Sequence, residues 1–133
     1  MDKPYYVFLD FKNTKMRQCA LEQVLSAAFI DKICVVEKVG FFNRMFADAV
    51  GDLIVFDDKF ESEKEIFAYC KNKLRFNPNA LFIHIGKEPS RDDNLHLIGI
   101  SDKCFLEHFE RLLGVCFLVH IVRTSVINPH KMI

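Results

Sequence analysis

Three carboxylates stand where apolar runs of the chain end. Asp57 and Asp58 follow the four apolar residues Leu53–Phe56, and Asp10 follows the run at 5–9. Carboxylate oxygens are the ligands that a hard cation such as Mg²⁺ prefers. A carboxylate beside such a cation can attack phosphorus, because the cation offsets the charge of the incoming phosphoryl group. The alternative is that these acidic residues only cap strands and the helices that follow them.

Five short apolar runs are rich in strand-forming residues and alternate with segments of helical spacing. The predicted strands lie at residues 5–9, 33–36, 53–56, 81–85 and 96–100. The third run is apolar throughout, which is typical of a strand with helices on both faces. Such an alternation predicts a mostly parallel sheet between two layers of helices.

Four other segments carry apolar residues at three- and four-residue steps, the spacing of an amphipathic helix. They predict helices at residues 14–29, 42–50, 62–76 and from 105 through 113. Ser62 and Glu65 have the form of a capping box at the start of the third helix. Ser101 or Asp102 can cap the last helix.

The polar segment GKEPSRDDN, residues 86–94, interrupts this alternation and contains Pro89. It predicts a loop or at most one helical turn between strands four and five. Right-handed crossovers leave few arrangements of such strands, and the order 2-1-3-4-5 is the common one. The expected fold is a flavodoxin-like three-layer α/β sandwich with a five-stranded parallel sheet and a missing or reduced fourth helix. Its working crevice should lie beyond the carboxyl ends of the strands, where Asp10 and Asp57 would meet.

The overall composition limits the classes of protein to which this chain can belong. The 133 residues fit one domain, which can bury roughly two thirds of its unfolded surface. Lys plus Arg and Asp plus Glu both total 18, and this balance predicts no direct binding of nucleic acid. The five cysteines form no C-x-x-C pair, which favours reduced thiols in a cytoplasmic protein. No secretion signal or bilayer-length apolar run is present, so we expect a soluble protein without membrane contact.

From about residue 5 to residue 113, the order and spacing of the elements resemble the CheY-like receiver domains of two-component response regulators. The resemblance rests on the spacing from LDFKNTKMR to DLIVFDD and on the segment FESEKEIFAYCKNKLRFNPNALFIHIG. It implies that Asp57 occupies the position of the phosphoacceptor aspartate. It also implies that Asp10 is the first of two acidic residues that place the metal.

Other positions depart from the receiver pattern. The second acidic position is Phe11, or Lys12 under a one-residue shift. The hydroxyl residue expected after strand four is replaced by Ile85 and Gly86, and a lysine expected after strand five is absent at positions 100–101. The resemblance therefore implies a degenerate receiver, or pseudo-receiver.

The pseudo-receiver hypothesis carries several expectations. The Mg²⁺ site at Asp10 and Asp57 should be weak or absent, with no other cofactor. The domain would act through a protein partner in bacterial signal transduction or transcriptional control, without enzymatic turnover. Two alternatives stay open: a phosphorylatable receiver that uses Asp57 with Mg²⁺, and a small α/β enzyme of unknown substrate.

The segment after Leu113 is apolar from Val115 to Val122, apart from His120. It can extend the last helix by two turns or form an added strand. We therefore expect a receiver-like domain at 1–114 and a C-terminal extension at 115–133. The extension either packs on the domain's own core or forms a homodimer interface or a lead into a further domain, since large apolar patches rarely stay exposed.

Four histidines recur every twelve residues, at His84, His96, His108 and His120. This is neither a helical nor a zinc-ligand spacing, so core or rim positions are expected, although His84 and His96 could be neighbours across strands four and five. The DFKNTK loop after strand one has no glycine, which argues against a flavin or dinucleotide.

Overall fold

The computed structural model describes residues 5–27, 33–37 and 51–126. Five strands form one sheet: β1 (Tyr5–Asp10), β2 (Ile33–Glu37), β3 (Leu53–Phe56), β4 (Leu81–Gly86) and β5 (Leu97–Ser101). The helices of the described residues are α1 (Thr14–Leu25), α2 (Glu63–Phe76) and α3 (Phe105–Val126), with a short 3-10 turn at Asp93–Leu95. The helix predicted at 42–50 lies outside the described residues.

The sheet is parallel, and its strand order is β2-β1-β3-β4-β5. This confirms the predicted flavodoxin-like order. In the register between β1 and β3, Leu9 pairs with Val55 and Asp10 pairs with Phe56. Asp57 therefore lies one residue further along the sheet than Asp10, so the two carboxylates point to opposite faces.

Side chains alternate between the two faces of the sheet, as the pleat requires. On one face, Val7, Leu9 and Val55 pack in a core that includes residues of α1 and α3. On the other face, Phe8 and Phe56 pack with residues of α2. The two faces thus have separate helical layers.

The helix starts follow the capping residues. The side chain of Asn13 accepts from the Met16 amide at 2.9 Å and begins α1, which ends at Leu25 rather than at residue 29. Ser62 begins α2, where its hydroxyl accepts from the Glu65 amide at 3.3 Å. The Glu65 carboxylate accepts from the Glu61 amide instead of that of Ser62, so only half of the predicted capping box forms.

The segment between β4 and β5 contains a single 3-10 turn, as the polar sequence predicts. Asp92 pairs in antiparallel fashion with Leu97 on the outer edge of β5. The preceding loop packs on the sheet, because a Cβ atom added to Gly99 would lie 2.9 Å from the Cβ atom of Pro89. His96 was predicted to start the strand, but its positive φ of 57° ends the 3-10 turn, and β5 starts one residue later.

The last helix, α3, runs without a break from Phe105 to Val126. The apolar segment after Leu113 therefore extends the helix and does not form an added strand. Ser101 does not cap this helix as predicted, since its hydroxyl accepts from the Lys103 amide in the turn before it. Cys116 is buried in the core. The division of the chain at 114/115 stays a prediction.

Among residues 5–27, 33–37 and 51–126, none of the helices has the length and apolar character that crossing a membrane requires.

Candidate functional site

Asp57 follows β3 directly, and its side chain is buried. Its carboxylate accepts from the backbone amide of Lys12 at 3.0 Å and from that of Asn13 at 2.8 Å. These amides belong to the two residues just before α1, at the end of the helix where the dipole favours a negative charge. Asp57 therefore acts as an internal anion that holds the start of α1 against the end of β3.

Asp10 is also buried, at the end of β1. Tyr69 of α2 donates its hydroxyl to Oδ2 of Asp10 at 2.6 Å, and the ammonium of Lys59 pairs with Oδ1. The Lys59 ammonium also lies 5.4 Å from the centroid of the Tyr69 ring. A cation of this chain thus already lies beside the Asp10 carboxylate.

The structure does not bring Asp10 and Asp57 to the same side of the sheet. Asp10 contacts α2 on one face, whereas Asp57 contacts the start of α1 on the other. The cause is the register, because residues one step apart at a strand end point in opposite directions. Phe11, one residue after Asp10, packs on the α1 side, where a second carboxylate would be needed. The magnesium site stays a prediction.

Asp58, to which the sequence assigned no role, links β3 to β4. Its carboxylate lies 2.7 Å from Nε2 of His84 and accepts from the Lys87 amide at 2.9 Å. A Cβ atom added to Gly86 would lie only 2.6 Å from Cγ of Asp58. The glycine thus makes room for the Asp58 side chain.

His84 is 1% exposed, and its ring stacks on that of Phe56. Its Nδ1 accepts from the Ser90 amide at 2.9 Å. Together with Asp58, these are the residue types of a catalytic triad, but Ser90 presents its backbone N–H to the ring and its hydroxyl to Glu63 at 3.4 Å. The arrangement is a hydrogen-bonded relay, without a nucleophile on the histidine.

A solvent-open cleft of about 370 Å³ lies at the carboxyl ends of the strands. It is lined by Lys12, Asn13, Met16, Asp57, Asp58 and the last two residues of β4. The lining residues of the cleft include two carboxylates and one lysine, and none of them carries a hydroxyl. An incoming anion would therefore meet more negative than positive charge.

The other histidines lie apart from this cleft. His84 pairs with Gly99 in the sheet, so His96 is not its neighbour across the strands. His96 lies against Ala80 and Arg123, and the ring of His120 packs on that of Tyr5. Within the part of the chain that the structure describes, no group of three or more His, Cys, Asp or Glu side chains could hold a metal ion.

Four cysteines are free thiols: Cys19, Cys70, Cys104 and Cys116. Burial raises the pKa of the Cys116 thiol to about 12. Burial, with a smaller contribution from the Asp92 charge, also raises the pKa of Cys70 to about 12. Both groups are therefore neutral and unreactive near neutral pH.

No protein-family model matches the chain, and no curated protein matches it. Solved structures do. A protein from Burkholderia pseudomallei described as pilus assembly-related has a TM-score of 0.64 at 11% identity, over 86% of this chain and 90% of that one. A two component transcriptional regulator AraC from Clostridium phytofermentans has a TM-score of 0.64 at 11% identity, over 91% and 98%.

A third structure carries the name of the expected class. It is a response regulator receiver domain protein (CheY-like) from Methanospirillum hungatei, with a TM-score of 0.51 at 10% identity, over 86% of this chain and 97% of that one. At such low identities the likeness shows the fold. The predicted resemblance to response-regulator receiver domains is confirmed at that level, and the chain has the CheY-like form of the flavodoxin-like fold.

Proposed function

We propose that this chain is a degenerate receiver domain that works through contacts with a protein partner and is not phosphorylated at Asp57. The observation that carries the proposal is the bonding of the Asp57 carboxylate. Oδ2 accepts from Asn13, and Oδ1 accepts from Lys12. These charge-assisted hydrogen bonds stabilise the anion and so lower the nucleophilicity of the carboxylate oxygens.

The negative charge of the cleft also opposes phosphorylation of Asp57. A phosphoryl group on Asp57 would enter a cleft that Asp58 also lines. The negative charges of the phosphoryl group and of Asp58 would repel each other in the same cleft. The Lys59 ammonium, which could offset them, is paired with Asp10 on the other face. In receivers a hydroxyl after strand four contacts the phosphoryl group, but here Gly86 has no side chain and Asp58 fills the space.

The proposed setting is bacterial signal transduction or transcriptional control. One structural neighbour is described as a two component transcriptional regulator, and another as a response regulator receiver domain protein. The proposal includes a cytoplasmic location, which fits the free thiols of Cys19, Cys70, Cys104 and Cys116. The partner would be another protein, because the chain has no net charge to hold nucleic acid.

We further propose a homodimer through the outer face of α3. This face is defined by Val115, Leu118, Ile121 and Val122, which are 42% to 64% exposed. A second copy fits it because the sequence between Arg111 and Arg123 contains no charged residue, so two copies meet without repulsion.

A small phosphodonor or beryllofluoride with Mg²⁺ tests the first proposal. We expect no gain of a phosphoryl group in the intact mass and no movement of the Lys12 and Asn13 amide resonances. Asp57→Asn is the matched control, because an amide oxygen can still accept from these amides. A response of the unchanged protein that disappears in Asp57→Asn would show that the alternative, a phosphorylatable receiver, is correct.

A further inference from the structure

We propose that His84 is a proton-operated latch for residues 88–91, the middle of the loop that leads from β4 to the 3-10 turn. The neutral ring holds this loop through Ser90, and protonation of the ring releases it. The inference rests on the contacts of His84 and does not depend on whether Asp57 is phosphorylated.

The hydrogen bonds decide which nitrogen of His84 carries the proton. The Ser90 amide can only donate, and it lies 2.9 Å from Nδ1, so Nδ1 is the acceptor. The single proton of the neutral ring is therefore on Nε2, which donates to the Asp58 carboxylate at 2.7 Å. Both ring nitrogens are satisfied only in this one tautomer.

A second proton must go to Nδ1, where it meets the N–H of Ser90. Two donors then face each other, and the buried Ser90 amide loses its acceptor. The bond to Asp58 survives, since an imidazolium donates to a carboxylate more strongly than a neutral ring does. Protonation therefore breaks the contact with the loop and keeps the contact with β3.

Charged groups face the His84 ring from two elements, β3 and α2. Asp58 from β3 contacts the ring directly, and Glu63 from α2 faces it across Ser90, whose hydroxyl it accepts at 3.4 Å. The residue paired with His84 on β5 is Gly99, which has no charge, and Lys87 of the loop is exposed. The charged side chains that face the ring are thus the carboxylates of Asp58 and Glu63.

The loop is attached to the sheet at both of its ends, where the Lys87 amide bonds to Asp58 and Asp92 exchanges two backbone hydrogen bonds with Leu97. Between these ends, Pro89 and Ser90 lie over Gly99, and the Ser90 hydroxyl donates to Glu63 at 3.4 Å. When the Ser90 amide loses its bond to His84, the middle of the loop keeps the hydroxyl bond to Glu63 and loses its hydrogen bond to the sheet. Opening of the loop would expose the face of β5 beside the 3-10 turn, a surface that a protein partner could bind.

The first test uses the unchanged protein. A proton–nitrogen correlation spectrum of the labelled imidazole should show the proton of neutral His84 on Nε2. As His84 takes its second proton, amide exchange at Ser90, corrected for the intrinsic effect of pH, should become about tenfold faster, as expected when one buried hydrogen bond is lost. A neutral ring with its proton on Nδ1, or unchanged Ser90 exchange across the titration, would overturn the proposal.

The second test uses His84→Asn, whose side-chain oxygen can accept from the Ser90 amide but does not titrate. Ser90 exchange should then no longer respond to acid. The matched control is His108→Asn at a half-exposed histidine of α3, which should keep the full response. An acid response that persists in His84→Asn would assign the switch to another group and refute the latch.

Discussion

At the scale of single residues, Asp58 and Gly86 form a matched pair across two strands. The Asp58 carboxylate reaches over the end of β4 to contact His84 and the Lys87 amide. A side chain at position 86 would occupy the same space. Glycine is required here for close approach, because the neighbouring carboxylate leaves no room for a Cβ atom.

We expect Gly86→Ala to lower the free energy of unfolding by about 1–3 kcal/mol, the usual cost of overpacking. The added methyl group would overlap the Asp58 side chain, which must then leave His84. Urea unfolding of the two single variants and of Gly86→Ala/Asp58→Ala measures the coupling between the positions. The alanine should cost less in the Asp58→Ala background, and equal costs in both backgrounds would contradict the overlap.

Gly114→Ala is the matched control for this substitution. Gly114 lies in the interior of α3, where alanine favours the helix over glycine. We expect it to raise the free energy of unfolding by about 0.5–1 kcal/mol, so that the loss at position 86 can be assigned to its surroundings.

At the scale of elements, α3 combines a buried face with an exposed apolar face. Cys116 lies in the core, and the ring of Phe117 lies 5.0 Å from that of Tyr5. A chain that ends at Leu113 would lose this packing as well as the outer face. Point variants on the outer face are therefore the sharper way to examine association.

Leu118→Lys should convert the homodimer into a monomer without a loss of stability, because the side chain is 64% exposed. Sedimentation equilibrium over a range of concentrations would measure the change. Leu106→Lys is the matched control, since Leu106 is 62% exposed on the first turn of the same helix and lies outside the proposed interface. A monomer for the unchanged protein, or equal effects of the two variants, would refute the interface.

At the scale of the whole molecule, each of the two helical layers buries one thiol among the side chains that the structure describes. Cys70 lies in the layer of α2, and Cys116 lies in the layer of α3. Burial raises the pKa of each thiol to about 12, whereas the ordinary pKa of a cysteine is 9.0. The unfolded chain therefore releases these protons at lower pH than the folded protein does.

The free energy of unfolding should consequently be unaffected by these thiols below about pH 9 and should fall as the pH rises from there toward about 12. Each thiol contributes up to about 1.4 kcal/mol per pH unit. Urea unfolding at a series of pH values measures the slope. Cys116→Ala lowers stability at every pH but should make the slope smaller, and an unchanged slope would contradict the assignment to this thiol.

Much of the fold was predictable because its signals are local. The apolar run Leu53–Phe56 predicted β3 at its observed bounds, and Ser62 marked the start of α2. The path of the chain after Leu113 was not predictable. A run that is apolar apart from His120 fits a helix or a strand, and the packing of Phe117 on Tyr5 is a contact between the two ends of the described fold.

The candidate site was also predictable only in part. The sequence by itself determined that Asp57 ends a buried strand at the carboxyl edge of a parallel sheet, because hydrophobic patterning and turn residues act over a few positions. Only the tertiary structure decided that Asp10 faces the opposite layer, since the strand register assigns each residue to a face. It also decided that Asp58 meets His84, 26 residues away, because that contact exists only when β3 and β4 lie side by side.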